Sequence, residues 1–191
     1  MKSIETERLI LHLETKSDFE AIYTMLAEIY PPEHFPAREG LQDEQNFYML
    51  MRNGMFGGLF GRWIVKQKTN GVFIGLGMLL PHLCTPEEST AIQGADSRHR
   101  TFEVEIGWAL ARQYRKLGYG TETARALLKY AFDDIGLKRV IGTTDTGNPD
   151  SVQMMQRLGM KILTLSASTK VLGWITTDQP INLSQNSGMR S

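Results

Sequence analysis

The chain predicts an α/β domain in which strands and amphipathic helices alternate along most of its length. Three observations carry that prediction. Short stretches of alternating or continuous apolar character recur at residues 8–13, 60–66, 72–80, 103–110, 139–144, 160–165 and 171–175, the mark of half-buried or buried strands. Between them lie apolar stripes at helical spacing, clearest in Ala124, Leu127, Leu128, Ala131 and Ile135. Finally, 191 residues with 41% hydrophobic content suffice for one core without disulfide or metal staples. A single domain over residues 1–183 is expected, with 184–191 as a frayed tail.

Residues 8–13 alternate as a first strand. Ser17-Asp18-Phe19-Glu20 reads as a capping box opening a helix with Phe19, Ile22, Tyr23, Leu26 and Ile29 on one face. Pro31 and Pro32 end it, and residues 31–38 read as irregular. A second helix is expected over 41–51, with Phe47, Leu50 and Met51 turned inward. Two strands follow, joined by Asn70-Gly71, a hairpin signal because both central residues of that turn take positive φ. Residues 81–101 are polar and unperiodic and read as a long loop.

In the strand at 103–110, Val104, Ile106 and Trp108 share one face while Glu103 and Glu105 share the other. After a loop comes the helix of the Ala124 stripe, ended by Gly136. Residues 139–144 are a strand. Asn148 then caps a helix with Pro149 at its first position and Val152, Met155 and Leu158 inward, stopped by Gly159. Two strands close the chain.

The loop between the strand at 103–110 and the helix of the Ala124 stripe is the most telling. Arg115-Lys116-Leu117-Gly118-Tyr119-Gly120-Thr121 puts two glycines and two cations at a helix start. Glycine lets backbone approach a ligand closely, and a helix N-terminus offers unpaired N–H donors to an anion. A phosphorylated ligand held by backbone is implied. The P-loop pattern Gly-x-x-x-x-Gly-Lys-Ser/Thr is absent, and the dinucleotide fingerprint fails because Thr123 stands where its third Gly belongs.

The pattern that does fit is Arg-x-x-Gly-x-Gly, met by Arg115, Gly118 and Gly120. With Glu105-Ile106-Gly107-Trp108-Ala109-Leu110 before it, this segment resembles the coenzyme A motif of the GNAT acetyltransferases. Glu5-Thr6-Glu7-Arg8-Leu9-Ile10-Leu11 is similar to the opening strand of the Rim-type branch, which includes N-acetyltransferases of ribosomal proteins. Asn148, Ser151, Met155 and Leu158-Gly159-Met160 resemble that branch's second motif. The resemblance covers most of residues 5–165. It implies a mixed, mostly antiparallel twisted sheet of about six or seven strands, helices on both faces, and a splay in the middle that admits coenzyme A.

It also implies a site. The backbone of Arg115, Lys116, Leu117, Gly118, Tyr119, Gly120 and Thr121 would hold the pyrophosphate of acetyl-CoA, the acetyl donor. Pantetheine, with two amides, would bond like an added strand to Trp108, Ala109 and Leu110. Asn148 would bond the pantetheine arm and Ser151 would sit near the sulfur. Acetyl transfer needs a neutral nitrogen, a polarised thioester carbonyl and a proton for the departing thiolate. Glu105 is the expected base, directly or through water, with Glu103 in reserve. A carboxylate of pKa about 4.3 is a weak base for an ammonium, so its surroundings must help. N–H groups near Trp108 and Leu110 would polarise the carbonyl. Many relatives place a Tyr acid where this chain has Met155, so Ser151 is left as the proton donor to the thiolate. The acceptor is expected to pass residues 31–38, with Glu33 able to attract a cationic amine, and residues 166–170, with the 81–101 insertion as a further candidate wall. A non-catalytic acyl-CoA-binding domain is the rival reading.

Balanced charge, 21 basic against 21 acidic residues, argues against nucleic acid or anionic membrane as partner. Residues 1–13 mix charges into their apolar positions and read as no signal peptide. The lone Cys84 forms no intrachain disulfide and suits a reducing cytoplasm. His82, Cys84 and His99 match no standard zinc spacing, and no metal is expected. A monomer and a homodimer are equally compatible with the sequence.

Overall fold

The computed structural model describes residues 3–31, 33, 35–94, 99–166 and 168–177. The expected tail at 184–191 lies outside them. Eight strands run as β1 (Ser3–Glu5), β2 (Leu9–Leu13), β3 (Gly61–Gln67), β4 (Phe73–Leu83), β5 (Phe102–Leu110), β6 (Arg139–Asp145), β7 (Lys161–Thr164) and β8 (Lys170–Thr176). Five helices accompany them: α1 (Phe19–Ile29), α2 (Arg38–Gly54), α3 (Pro86–Gln93), α4 (Tyr119–Lys129) and α5 (Pro149–Arg157). The sheet is mixed, in the order β1-β2-β3-β4-β5-β6-β8-β7. The expected seven strands are present, and short β1 adds the eighth. No helix among the described residues is long and apolar enough to cross a membrane.

The chain forms two compact units: Met1–Leu80 with Gly107–Leu127, and Pro81–Ile106 with Leu128–Ser191. In the first, β2 pairs antiparallel with β1 and β3, and β3 with β4. Ile22 and Met25 of α1 pack on Ile64, Leu76 and Ala111. A Cβ at Gly77, the residue after Leu76, would meet Leu127 and Thr123 of α4. Successive strand residues face opposite ways, so helices cover both faces of this part of the sheet. At Gly75 a Cβ would stand 2.3 Å from the Ala109 carbonyl oxygen, so the glycine is what lets β4 approach the end of β5.

Three local expectations need correction in this unit. The capping box belongs to Thr15 and Asp18: the Asp18 carboxylate accepts from the Thr15 N–H at 2.8 Å and from its hydroxyl at 2.6 Å. Glu20, two residues on, pairs with Arg38 instead. Helix α2 does not turn Phe47 and Leu50 inward; they are 55% and 70% exposed. Its inner face is Leu41 and Gln45, because what lies beneath is polar: Gln45 donates to the Glu14 carboxylate at 2.8 Å. Arg62 binds that carboxylate through Nε and Nη2 at 2.6 and 2.9 Å, and both side chains are almost fully buried. In the β3–β4 connection only Gly71 has positive φ, at 70°. The Gln67 carbonyl accepts from the Gly71 N–H, and the Gln67 N–H donates to Val72, closing a longer loop than the two-residue turn expected.

In the second unit, β6 pairs with β8 over seven register positions and β8 with β7. β5 and β6 are parallel and share one position, Glu105↔Ile141. Cys84, Ile141, Leu165 and Leu172 form a core cluster. Met154, Met155 and Leu158 are the buried residues at α5, with Val152 only half-buried. The stretch read as a loop over 81–101 is a further correction. Strand β4 runs through Pro81 and His82, and α3 follows with Thr85 as cap. Thr85 Oγ1 accepts from the Glu88 N–H, and the Glu88 carboxylate accepts from the Thr85 N–H at 2.7 Å. Thr85-Pro86-Glu87-Glu88 is a capping box with Pro at the first helical position, legible by the rule that located the cap at Asn148.

Candidate active site

The first unit carries the basic glycine turn. β5 ends where the Ala111 N–H donates to Ile74. After one tight helical turn at Arg112–Tyr114, Arg115 is extended, with its Nε on the Leu110 carbonyl at 3.0 Å. Lys116 takes φ of 62°, the one left-handed non-glycine among the described residues, and Gly118 takes 83°. Left-handed residues set among ordinary ones turn successive N–H groups to one side, a concavity suited to anions. Helix α4 then starts at Tyr119, adding the unpaired N–H groups of its first turn at Tyr119, Gly120 and Thr121. Arg115, Lys116, Leu117 and Gly118 are exposed, while Trp108, Ala109 and Leu110 are half-buried.

Arg8 braces this turn, a role sequence reading missed. Its Nε donates to the Glu122 carboxylate at 2.7 Å and its Nη1 to the Leu117 carbonyl at 3.0 Å, while the guanidinium lies 4.5 Å from the Tyr119 ring centre. A Cβ at Gly118 would come within 3.2 Å of Arg8 Nη2. Burial pushes the Glu122 carboxyl up, but hydrogen bonds from Thr6 and Arg8 outweigh it and hold the group below its ordinary value. The Tyr119 hydroxyl accepts from Gln67 Nε2 at 2.9 Å, so that side chain is part of the brace.

The second unit carries both glutamates of β5. Glu103 is taken by Arg139, whose Nε donates to it at 3.0 Å, and its side chain is nearly buried. Glu105 keeps a freer carboxylate. One oxygen accepts from the Thr143 N–H at 3.1 Å and from the Thr143 hydroxyl; the other lies 3.4 Å from His82 Nδ1. Burial raises the Glu105 carboxyl, and the bonds from His82 and Thr143 more than offset it, so the group sits below its usual value. His82 Nε2 is 3.1 Å from the Glu88 carboxylate. Bonding to Glu105 raises the imidazole against the opposing effect of burial, and Glu88 adds to it, taking it to about 9.

A ring nitrogen of His82, Cys84 Sγ and a carboxylate oxygen of Glu88 also lie within 4.8 Å of one another. His82 and Glu88 are bonded to each other, however, and Glu88 also holds the Thr85 N–H. The buried Cys84 thiol is pushed up by desolvation, away from the thiolate a metal prefers. His82 and Glu88 are thus engaged in a hydrogen-bonded chain.

Asn148 caps α5, its Oδ1 accepting from the Ser151 N–H at 3.2 Å, and Ser151 sits half-buried in the first turn. Met155 is 1% exposed and lies over Gly142 and Gly173, so it is core packing rather than an acid. Glu33 is exposed. The partners of Glu105 were not readable beforehand, because 38 residues separate it from Thr143 and the α3 segment passed for a loop.

The family model described as an acetyltransferase (GNAT) domain matches residues 8–161. The uncharacterized N-acetyltransferase YnaD of Bacillus subtilis is 39% identical over 57 residues, 30% of this chain and 34% of that protein. The aligned stretches span 34%, 49% and 39% of the lengths of three curated relatives. Among solved structures, a GNAT-family acetyltransferase from Bacillus anthracis superposes with a TM-score of 0.67 at 21% identity, covering 93% of this chain and all of that one. The ribosomal-protein acetyltransferase RimL in complex with coenzyme A gives 0.68 at 12% identity, covering 93% and 99%. Its strand order, the basic turn leading into α4 and the match over residues 8–161 together make this chain a member of the GNAT acetyltransferase family.

Proposed function

We propose that this chain is an acetyl-CoA-dependent N-acetyltransferase of the Rim type, moving an acetyl group to a primary amine by direct attack in a ternary complex. The observation that carries the reading is Glu105, an ionised carboxylate next to the Ile-Gly-Trp motif, held in place by Thr143 and His82. In this reading residues 1–183 act as one domain, as a monomer or homodimer in the cytoplasm. The turn from Arg115 to Thr121 takes the pyrophosphate, and the backbone of Trp108, Ala109 and Leu110 takes pantetheine. An N–H of that stretch polarises the thioester carbonyl. Asn148 bonds the pantetheine arm. Glu105 accepts the proton of the attacking nitrogen, and Ser151 supplies one to the leaving thiolate. The Bacillus and RimL likenesses support the family chemistry, and the residues present fit the cosubstrate: two left-handed residues and a helix start meet a diphosphate.

The test is thiol release from acetyl-CoA with a panel of amines: a polyamine, free amino acids, and peptides beginning with Ala or Ser. Turnover of any member is the expected result. Tight coenzyme A binding without turnover across the panel overturns the enzyme reading and leaves a non-catalytic acyl-CoA-binding domain.

Arg8 gives a second check. Arg8→Ala is expected to raise KM for acetyl-CoA by roughly three- to tenfold with kcat within about twofold, since it loosens the turn and leaves the reacting groups alone. Arg8→Lys should recover only part, because a lysine keeps the charge without the fork that spans Glu122 and Leu117. Unchanged KM in both variants would remove the bracing role.

A further inference from the structure

The Glu105 carboxylate does not stand alone: it begins a chain that leads inward through His82 to Glu88. Side-chain exposure falls along it, from 28% at Glu105 and 24% at His82 to 7% at Glu88. Each member is fixed from a different element. Thr143 on β6 holds one oxygen of Glu105. The capping box of α3 holds Glu88 against the Thr85 N–H. His82, at the end of β4, spans the two with its two ring nitrogens. The neighbouring groups are the buried Cys84 thiol on the same segment and, further off, the Glu103–Arg139 pair between β5 and β6. Two carboxylates thus face one imidazole.

That arrangement gives the proposed acetyl transfer, on which this inference rests, a second station for the amine proton. A carboxylate held below its ordinary value is a poor final home for a proton taken from an amine. Once it has lost its Nδ1 proton, an imidazole whose Nε2–H stays anchored on the buried Glu88 carboxylate presents Nδ1 as an acceptor toward Glu105. We propose that His82 is a positioning residue that receives, at Nδ1, the proton Glu105 takes from the acceptor amine, with Glu88 fixing the ring and its tautomer. The amine nitrogen forms its bond to the thioester carbonyl carbon. The N–H bond then breaks as an O–H bond forms at Glu105, and that proton moves to His82 Nδ1, restoring the carboxylate. The C–S bond breaks and the thiolate takes a proton from the Ser151 hydroxyl, which water replenishes. His82 returns its proton to solvent before the next turnover. Only enzyme with neutral His82 is ready to receive a proton, so kcat rises with pH until the imidazole is deprotonated, at about 9.

The experiment is the pH dependence of kcat with two acceptors, an alanyl peptide with an α-amine of pKa about 8 and a lysine-type amine near about 10.4. A limb belonging to His82 stands near pH 9 with both, whereas a limb that follows the amine overturns the relay. His82→Gln keeps hydrogen bonding but cannot titrate; it is expected to abolish the limb and lower the plateau kcat by roughly 10- to 100-fold. Glu88→Gln keeps an acceptor for the Thr85 N–H and should move the limb down by about one pH unit. Wild-type limbs in both variants overturn the proposal. NMR titration of the His82 ring separates this from failure of the enzyme reading, because it needs no turnover. An imidazole that titrates well above the ordinary value, and falls in both Glu105→Gln and Glu88→Gln, supports the chain. One that titrates near about 6.5 and ignores both substitutions overturns it, whatever the amine panel shows.

Discussion

Replacing Glu105 by Gln is expected to lower kcat by about 10²–10³-fold while KM for acetyl-CoA stays within about twofold. The glutamine keeps an oxygen for the Thr143 N–H and hydroxyl, so the local packing survives. What disappears is the charge that accepts a proton and faces His82. Because the Glu105 carboxyl lies below its ordinary value, it stays ionised down through the mildly acidic range. No acid limb from this group is therefore expected above about pH 5. Steady-state kinetics on the amine that the panel identifies measure the loss, with thermal melts to check folding. A kcat within threefold of wild type would take the base role away from Glu105. A larger loss in Glu103→Gln at unchanged stability would hand it to Glu103, against the Arg139 pairing.

The largest expected effect on stability lies in the other unit. Glu14→Ala is expected to cost about 3–5 kcal/mol, because it strands a buried guanidinium rather than because the pair itself is worth so much. Arg62 is 5% exposed and loses both of its bonds to the carboxylate, while Gln45 loses one of two acceptors and keeps the Thr15 carbonyl. The Glu44 carboxylate, 3.5 Å from Arg62 and well exposed, recovers only part of the charge pairing. Denaturant unfolding should show the loss, with Tm lower by roughly 10 °C. Removing both charges with Glu14→Leu and Arg62→Met should recover most of it, since a buried pair replaced by apolar groups of similar size is close to neutral. If the double variant is no better than Glu14→Ala, the stranded-charge explanation fails.

The buried pair also explains why helix α2 misled sequence reading. An apolar stripe predicts an inner face when the surface beneath is apolar. Here Glu14, just past the end of β2, and Arg62 of β3 lie beneath, and the helix turns Gln45 toward them while leaving Phe47 and Leu50 outside. The same limit applies to the turn at Asn70-Gly71, where loop length rather than residue pair chose the conformation. The α3 segment is a different case. Its capping box was present in the sequence, but eight residues with a weak apolar stripe gave no periodicity to attach it to.

Local chemistry is what the sequence by itself determined: the strand of Glu103 and Glu105, the glycine turn opening α4, the Asn148-Pro149 start of α5 and the family they point to. Those features depend on residues within a few positions of one another, where propensity, capping and spacing act directly. Only the tertiary structure decided what each carboxylate does. Glu103 and Glu105 are two residues apart on one face of one strand, and nothing local separates them. Arg139 takes the first, and Thr143 and His82 take the second, because β6 and the end of β4 bring those partners up to β5. The basicity of a carboxylate is set by such long-range neighbours, through burial and hydrogen bonds that no short stretch of sequence encodes.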